Sequence, residues 1–404
     1  MSKSRLGGNG LMKKHKIAVV GLGKRGQSWA KNIMARTDAE LVAICDEYED
    51  RVQKVVDIAR ESGHGETLKY AVTDYHDLLD KKDIEIVVIV VSWEKHVPLS
   101  VDFLEAGIIT ALEVGGAYSL QDCYSLVNAY EKTNTPFFFM ENCCYGKREL
   151  MVLHMVQEGA FGEIVHCSGS YSHDLRKQIA EGAENRHYRQ RNYRLRNCDN
   201  YPTHDLGPIA RVLNINHGNR MVSLISQASK AAGMAQYIRD YRPEDKNLDY
   251  RQGDIVNTII TCAGGETILL TLDTTLPRAY SRGFTVRGTK GMYFEDNDSI
   301  YLNDEHYPKY DWQWKPLWGN AEQYEDKYLD DMWRKEIDTT KEHGGMDEVM
   351  FDDFLRCVEE GKPMPIDVYD AASWMAVSVL SEMSIQKGGM PVEIPDFTNG
   401  KWLL

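Results

Sequence analysis

The sequence predicts an α/β protein: an N-terminal doubly wound dinucleotide-binding domain, then an α+β domain on an open, mostly antiparallel sheet. Three observations carry this. Short apolar segments alternate with helical patterns through the first third of the chain, as parallel βαβ units require. A glycine fingerprint, Gly21-x-Gly23-x-x-Gly26, stands between the first apolar segment and the first helical one. After Asn142 the texture changes to short strand-like segments separated by turn residues. A length of 404 residues suits two domains. The expected division is a flexible tail at 1–15, a nucleotide-binding domain at 16–143 and a second domain at 144–404.

Residues 16–20 form a short apolar strand, and the helical pattern after the glycines carries Trp29, Ile33 and Met34 on one face. A second strand at 40–45 ends at Asp46, and a helix follows at 51–61. Residues 84–91 are apolar except for Glu85, the pattern of a parallel strand covered on both faces. Helices at 97–106 and 120–132 flank a strand at 108–112, and 136–140 is another strand. In the second half a helix at 147–158 leads into a strand at 163–171. Residues 172–202 are polar and irregular, and 203–213 is helical. Strands follow at 221–227, 254–262, 266–273, 283–287 and 291–294, with Gly264-Gly265 marking a hairpin. Residues 303–345, rich in Trp, Tyr and charge, read as a long functional loop or lid. Helices at 346–360 and 369–386 close the chain.

Composition narrows the function. Acidic residues number 61 against 47 basic, a net charge of -14, whereas a nucleic-acid binder leans basic. No apolar run is long enough to span a bilayer. The eight cysteines contain no C-x-x-C pair, which argues against a structural zinc site and a disulfide framework. They read as free buried thiols in a reducing compartment. Residues 1–14 are polar and Gly-rich with no apolar signal core. The chain as written is therefore expected in the cytoplasm; a periplasmic or secreted protein trimmed of its leader would read the same.

The glycine motif gains force from its surroundings. It follows a strand, opens a helix, and Asp46 ends the next strand 20 residues after Gly26. Gly21 makes the tight turn, Gly23 lets amides approach a pyrophosphate, and Gly26 permits close helix–strand packing. Asp46 would accept hydrogen bonds from ribose hydroxyls and repel a 2′-phosphate, so NAD is favoured over NADP. Lys24 and Arg25 lie within the motif. Ser92, Trp93 and His96 follow the third main strand, Glu113 and Val114 the fourth, and Glu141 and Asn142 the fifth. Ligands in such sheets bind beyond the carboxyl ends of the strands, so all three segments point to the nicotinamide side. The five arginines of 186–196 read as a solvated loop near the site or a subunit contact. The His and Asp residues near 173–187 lack a compact metal-ligand pattern, so no catalytic metal is expected.

These features resemble the Gfo/Idh/MocA oxidoreductases, which join a Rossmann domain to an open-sheet α+β domain. Most of them carry Glu-Lys-Pro after the fourth strand, with the lysine in catalysis; here the tripeptide is Glu113-Val114-Gly115. From Ile17 onward the chain is similar to a narrower group, the NAD-dependent α-N-acetylgalactosaminidases of glycoside hydrolase family 109. The stretches that carry the likeness are Gly23-x-Arg25-Gly26-Gln27, Glu113-Val114-x-Gly116-Ala117, Glu141-Asn142-x-Cys144-Tyr145 and Tyr171-x-His173-Asp174-Leu175-Arg176. Further ones are Tyr201-Pro202-Thr203-His204, Gly253-Asp254-Ile255-Val256, His343-Gly344-Gly345-Met346-Asp347 and the tail from Ile394 to Trp402. Divergence is concentrated in residues 295–342.

The resemblance implies hydrolysis of terminal α-linked N-acetylgalactosamine. A tightly held NAD takes hydride from sugar C3, the C2 proton is removed, the C1 aglycone is eliminated, water adds, and the hydride returns. Such chemistry does not need the paired carboxylates of ordinary glycosidases. By motif position the catalytic candidates are Glu141, Tyr171, Tyr201, His204 and Tyr280. His204 suits proton transfer at the C3 hydroxyl and Tyr171 suits C2 deprotonation, with His173 or Arg176 to supply positive charge; the roles are exchangeable among these residues. Tyr171 would also touch the cofactor. The substrate would meet Tyr145, Arg176, Tyr201, His204, Tyr280 and His343, the last on a loop that closes through Gly344 and Gly345. Open-faced sheets of the superfamily imply a homo-oligomer. Two other readings stand: a net NAD-dependent sugar dehydrogenase, against which the missing lysine counts, and a non-catalytic NAD- or sugar-binding regulator.

Overall fold

A computed structural model describes residues 14–310, 312–313 and 315–403. Most of the expected tail, residues 1–13, lies outside the described residues. The chain divides into two compact units. One comprises the residues up to 91 with 98–113 and 133–137; the other comprises 92–97, 114–132 and 138 onward.

The first unit is built on a six-stranded sheet: β1 (His15–Val20), β2 (Ala39–Cys45), β3 (Tyr70–Val72), β4 (Ile86–Ile89), β5 (Ile109–Leu112) and β6 (Phe137–Phe139). Its order is β3-β2-β1-β4-β5-β6, and the β1–β2, β2–β3, β1–β4 and β4–β5 pairs are all parallel. The helices between its strands include α1 (Lys24–Met34), α2 (Glu49–Glu61) and most of α3 (Trp93–Glu105), while α4 (Leu120–Thr133) falls almost wholly in the second unit. Ile17, Ala18 and Val19 of β1, and Ile86 to Ile89 of β4, are fully buried whichever face they point to. That is why these strands read as unbroken apolar runs. The topology reverses between β1 and β4, and their carboxyl ends flank the glycine turn. Strand β3 escaped the sequence reading because it is three half-exposed edge residues with no alternation to see.

The second unit contains α5 (Lys147–Gln157), β7 (Ile164–Ser172), α6 (Arg176–Ala180), α7 (Arg189–Leu195), α8 (Thr203–Val212), β8 (Met221–Ala228) and α9 (Gly233–Tyr241). It continues with β9 (Ile255–Cys262), β10 (Thr267–Asp273), β11 (Thr285–Gly288), β12 (Gly291–Phe294), β13 (Ser299–Leu302), α10 (Asn303–His306) and α11 (Glu325–Tyr328). The last elements are α12 (Met346–Glu360), α13 (Val368–Gln386) and β14 (Val392–Glu393). Its eight strands run β13-β12-β11-β7-β10-β9-β8-β14. The named pairs are antiparallel except β7 with β10, which is parallel. Strand β9 shows the two faces: Val256, Thr258, Ile260 and Cys262 are buried, while Asn257, Ile259 and Thr261 are exposed. The inner face packs against α8 and α13. Helix α13 is apolar nearly all round, as a core helix should be. It starts at a capping box in which Asp367 accepts the Tyr369 and Asp370 amides and Asp370 accepts the Asp367 amide.

The segment expected to be irregular, 172–202, holds two short helices, α6 and α7. The long loop at 303–345 holds α10, α11 and several 3-10 turns. Helix α3 begins at Trp93, a turn earlier than its proline, Pro98, suggested. Helix α9, unread in the sequence, buries only Met234 and Ile238 among its side chains, too short a stripe to register as a period. All eight cysteines are free and buried, and no helix among the described residues is long and apolar enough to cross a membrane.

Candidate active site

In the first unit the glycine turn is shaped as a dinucleotide requires. Gly21 sits at φ 95°, where a side chain is strained, and a Cβ there would collide with the Val90 carbonyl. A Cβ on Gly26 would collide with the carbonyl of Gly21. Gly23 is different: nothing but Arg51 Nη1, at 4.0 Å, lies near its Cβ position. Its bareness leaves the start of α1 open. That helix has no capping side chain and no acidic residue in its first turn, so its leading amides are available to a pyrophosphate. Lys24 is exposed beside them.

Asp46, buried at the end of β2, accepts the Leu22 amide at 2.6 Å and the Tyr48 amide at 3.0 Å, with Arg51 Nη1 at 3.5 Å. Its remaining lone pairs could take ribose hydroxyls. Glu113 accepts Arg25 Nε and Trp29 Nε1, both at 2.7 Å, so Arg25 and Glu113 brace each other at the carboxyl end of β5. The turn, the open helix start and the carboxylate together fit NAD.

In the second unit the cluster grows from three elements. The end of β7 supplies Tyr171, the first turn of α8 supplies His204 with Tyr201 just ahead of it, and the turn after β6 supplies Glu141. The rings of Tyr171 and Tyr201 lie 4.6 Å apart, those of Tyr171 and His204 5.5 Å, and Tyr201 meets His204 edge-on at 4.7 Å. His204 Nδ1 and Glu141 Oε1 are 2.6 Å apart. Glu141 is wholly buried, which works to raise its carboxyl, but the charge and hydrogen bond of His204 and the Cys143 amide outweigh that; the group stays below the ordinary carboxylate range. The Tyr171 phenol is pushed up by burial, and the guanidinium of Arg189 opposes that. Burial likewise raises Tyr201 well above a free phenol.

Arg189 was not singled out in the sequence, where 186–196 read as a solvated loop near the site or a subunit contact. Arg189 and Arg196 are instead buried. The Arg189 guanidinium lies 5.2 Å from the Tyr201 ring and 5.7 Å from that of Trp93, with Nη1 donating to Gln178 Oε1 at 2.5 Å. Arg196 donates to Glu382 and to the Ala117 carbonyl. The polar look of the segment concealed this, because buried guanidinium groups have no hydrophobic signature. The positive charge at Tyr171 also comes from a different residue than expected. Arg176 is tied to Asp174 by two bonds of 2.8 and 2.7 Å and lies over Tyr237. His173, 3.5 Å from the Tyr171 hydroxyl, is held below its usual pKa by burial and by Arg189, so it stays neutral.

The other candidates divide. Trp93 stacks on Tyr201 at 5.2 Å and 17°, so it belongs with the tyrosines. Tyr280 is half-exposed and meets His173 edge-on at 5.3 Å. Asp347 joins Asn142, 2.8 Å from one oxygen, to His343, 3.0 Å from the other. The backbone around His343 explains the double glycine: residues 343, 344 and 345 all have left-handed φ, 55°, 61° and 88°. Tyr145 stands apart in the core, bonded to Asp353 at 3.0 Å. Ser92 and Val114 fall in the second unit beside Trp93 and His96.

Comparison with known proteins fixes the family. The model of the glycosyl hydrolase 109 C-terminal domain matches residues 145–404, and the oxidoreductase family with an NAD-binding Rossmann fold matches residues 15–140. An α-N-acetylgalactosaminidase of Tannerella forsythia is 35% identical over 415 aligned residues, covering 96% of this chain and 87% of that protein. A glycosyl hydrolase family 109 protein of Shewanella sp. (strain W3-18-1) is 36% identical, covering 96% and 86%. Among solved structures, a levoglucosan dehydrogenase in complex with NADH and levoglucosan superposes with a TM-score of 0.70 at 16% identity, over 95% of this chain and all of that one. An apo scyllo-inositol dehydrogenase of Lactobacillus casei gives 0.66 at 14%, over 95% and 99%. At such identity the structures speak for the fold alone. The chain belongs to glycoside hydrolase family 109: it is a glycoside hydrolase with an NAD-binding Rossmann domain.

Proposed function

We propose that this enzyme removes terminal α-linked N-acetylgalactosamine by transient oxidation at C3, elimination across C1–C2, water addition and re-reduction. The observation that carries the reading is the state of Glu141. It is fully buried and locked to His204 at 2.6 Å, so it serves a histidine rather than attacking an anomeric carbon.

NAD, which the Gly21–Gly26 turn, the start of α1 and Asp46 would hold, would supply a hydride acceptor for C3 and a donor for its return. The chain's own residues manage the protons. With Glu141 ionised, Nδ1 of His204 carries the proton it shares with that carboxylate, which leaves Nε2 to accept the C3 hydroxyl proton. The 3-ketone makes the C2 proton acidic. Tyr171 removes it as phenolate, its charge met by Arg189, and the aglycone leaves C1. Water adds at C1 and its released proton neutralises the departed aglycone oxyanion, Tyr171 returns its proton to C2, and His204 returns its own to the C3 oxygen. Protons and hydride balance, and the net reaction is hydrolysis. Tyr201, flat against Trp93, and Tyr280 offer ring faces and hydroxyls to the sugar.

The test is cleavage of an aryl α-N-acetylgalactosaminide in deuterated water. Phenol should appear without added reductant and without accumulated NADH, and the released sugar should carry deuterium at C2. Phenol release with no label at C2 excludes elimination; stoichiometric NADH makes the enzyme a dehydrogenase.

A further inference from the structure

Cys143 has no part in the proton relay, yet it stands against it. One carboxylate oxygen of Glu141, the thiol sulfur of Cys143 and one ring nitrogen of His204 all lie within 4.8 Å of one another, and all three residues are buried. Local structure brings them together. Glu141 starts the 3-10 turn Asn142–Tyr145 and accepts the Cys143 amide at 3.1 Å, which folds the thiol back beside the carboxylate. Glu141 Oε2, wholly buried, has no hydrogen-bond partner. A nitrogen, a sulfur and an oxygen donor within that reach are the donor types that a borderline-soft divalent cation takes, with water to complete its four ligands. Arg282 adds a positive charge near Cys143, but it is paired to Glu149 and lies 3.5 Å from Glu295.

We infer that Glu141, Cys143 and His204 form an inhibitory site for a zinc-like cation. The cation takes the sulfur as thiolate, and the thiol proton is released to solvent. It also takes the Nδ1 lone pair of His204, whose proton passes to Nε2, and one lone pair from Glu141, with no change in oxidation state. The hydrogen bond between His204 and Glu141 opens, and the histidine can no longer receive the C3 hydroxyl proton. Inhibition rests on the reading above of His204 as the C3 base; metal binding does not.

The test uses NAD-loaded enzyme freed of metals by a chelator. Zinc should abolish aryl-glycosidase activity, chelator should restore it, and Cys143→Ser should raise the inhibitory zinc concentration by about tenfold or more. Cobalt(II), read without turnover, should give a thiolate-to-cobalt absorption band in the wild type that Cys143→Ser removes. If that variant fails to fold, Cys143→Ala replaces it in both readings, and in the wild type zinc should displace the cobalt band. Zinc inhibition that is absent or equal in the variant, a missing cobalt band, or a band that zinc does not displace each overturns the site. A cobalt band with no loss of activity overturns the inhibitory role and with it the placement of His204 at C3.

Discussion

At the scale of single residues, one pairing decides how reactive the site is. A phenol buried as Tyr171 is resists ionisation, and Arg189 is the charge set against that resistance. Replacing Arg189 with Met should therefore move the alkaline-going limb of the kcat/KM profile to higher pH and lower the rate by roughly 100-fold at neutral pH. Lys at this position should recover part of the rate, since it restores charge but not the planar group that lies over Tyr201. An unchanged profile and a rate within about twofold of wild type would take Arg189 out of the chemistry. The residue shows what a sequence hides. His204, Glu141 and Tyr171 could be singled out because their neighbours form unusual strings. Arg189 sits in a run of arginines, and only the fold separates the buried ones from the rest.

At the scale of elements, the first turn of α8 carries an unresolved charge problem. Asp205 and Asp199 are both buried; Asp199 Oδ2 and both oxygens of Asp205 lack hydrogen-bond partners, and each carboxyl feels burial first. Asp199 is pushed up to about 7, and Asp205, also repelled by Asp199, stands well above the carboxylate range. The sign follows directly. The native state favours the protonated form, so its stabilising effect is complete below about pH 4, the unfolded pKa, and drains away as pH rises through 7. The melting temperature should thus fall by several degrees between mildly acidic and mildly alkaline buffer, and Asp205→Asn should flatten that slope. A slope identical in the variant would show that Asp205 does not titrate there. No periodicity announced this pair. Residues 199 and 205 flank the Tyr201–His204 motif, and their burial follows from packing under the sheet, which local sequence does not encode.

At the scale of the whole molecule, legibility tracks the reach of the interaction that makes each part. The glycine turn, the open start of α1 and Asp46 lie within 26 residues of one another and obey local rules, so the nucleotide-binding unit could be read in order. The second unit is joined by long-range contacts: Asn142 to Asp347 spans 205 positions and Tyr145 to Asp353 spans 208. Six of the strands in its sheet were legible, the short edge strands β13 and β14 were not, and which side chains met was not. On the proposed reading the two units divide the labour, and that division can be measured. Removing the nicotinamide should abolish glycosidase activity, and NAD should restore it. NADP should not, because its 2′-phosphate would meet the buried carboxylate of Asp46. NAD at about 100 times its dissociation constant should stabilise the protein by roughly 2.7 kcal/mol, seen as a raised melting temperature. In Gly26→Ala, where the new methyl group must displace the Gly21 carbonyl, both the NAD-dependent shift and the activity should be lost. Stripped protein that still cleaves its glycoside at full rate would mean that the Rossmann unit is a scaffold rather than a participant, and hydrolysis would then have to come from the second unit alone.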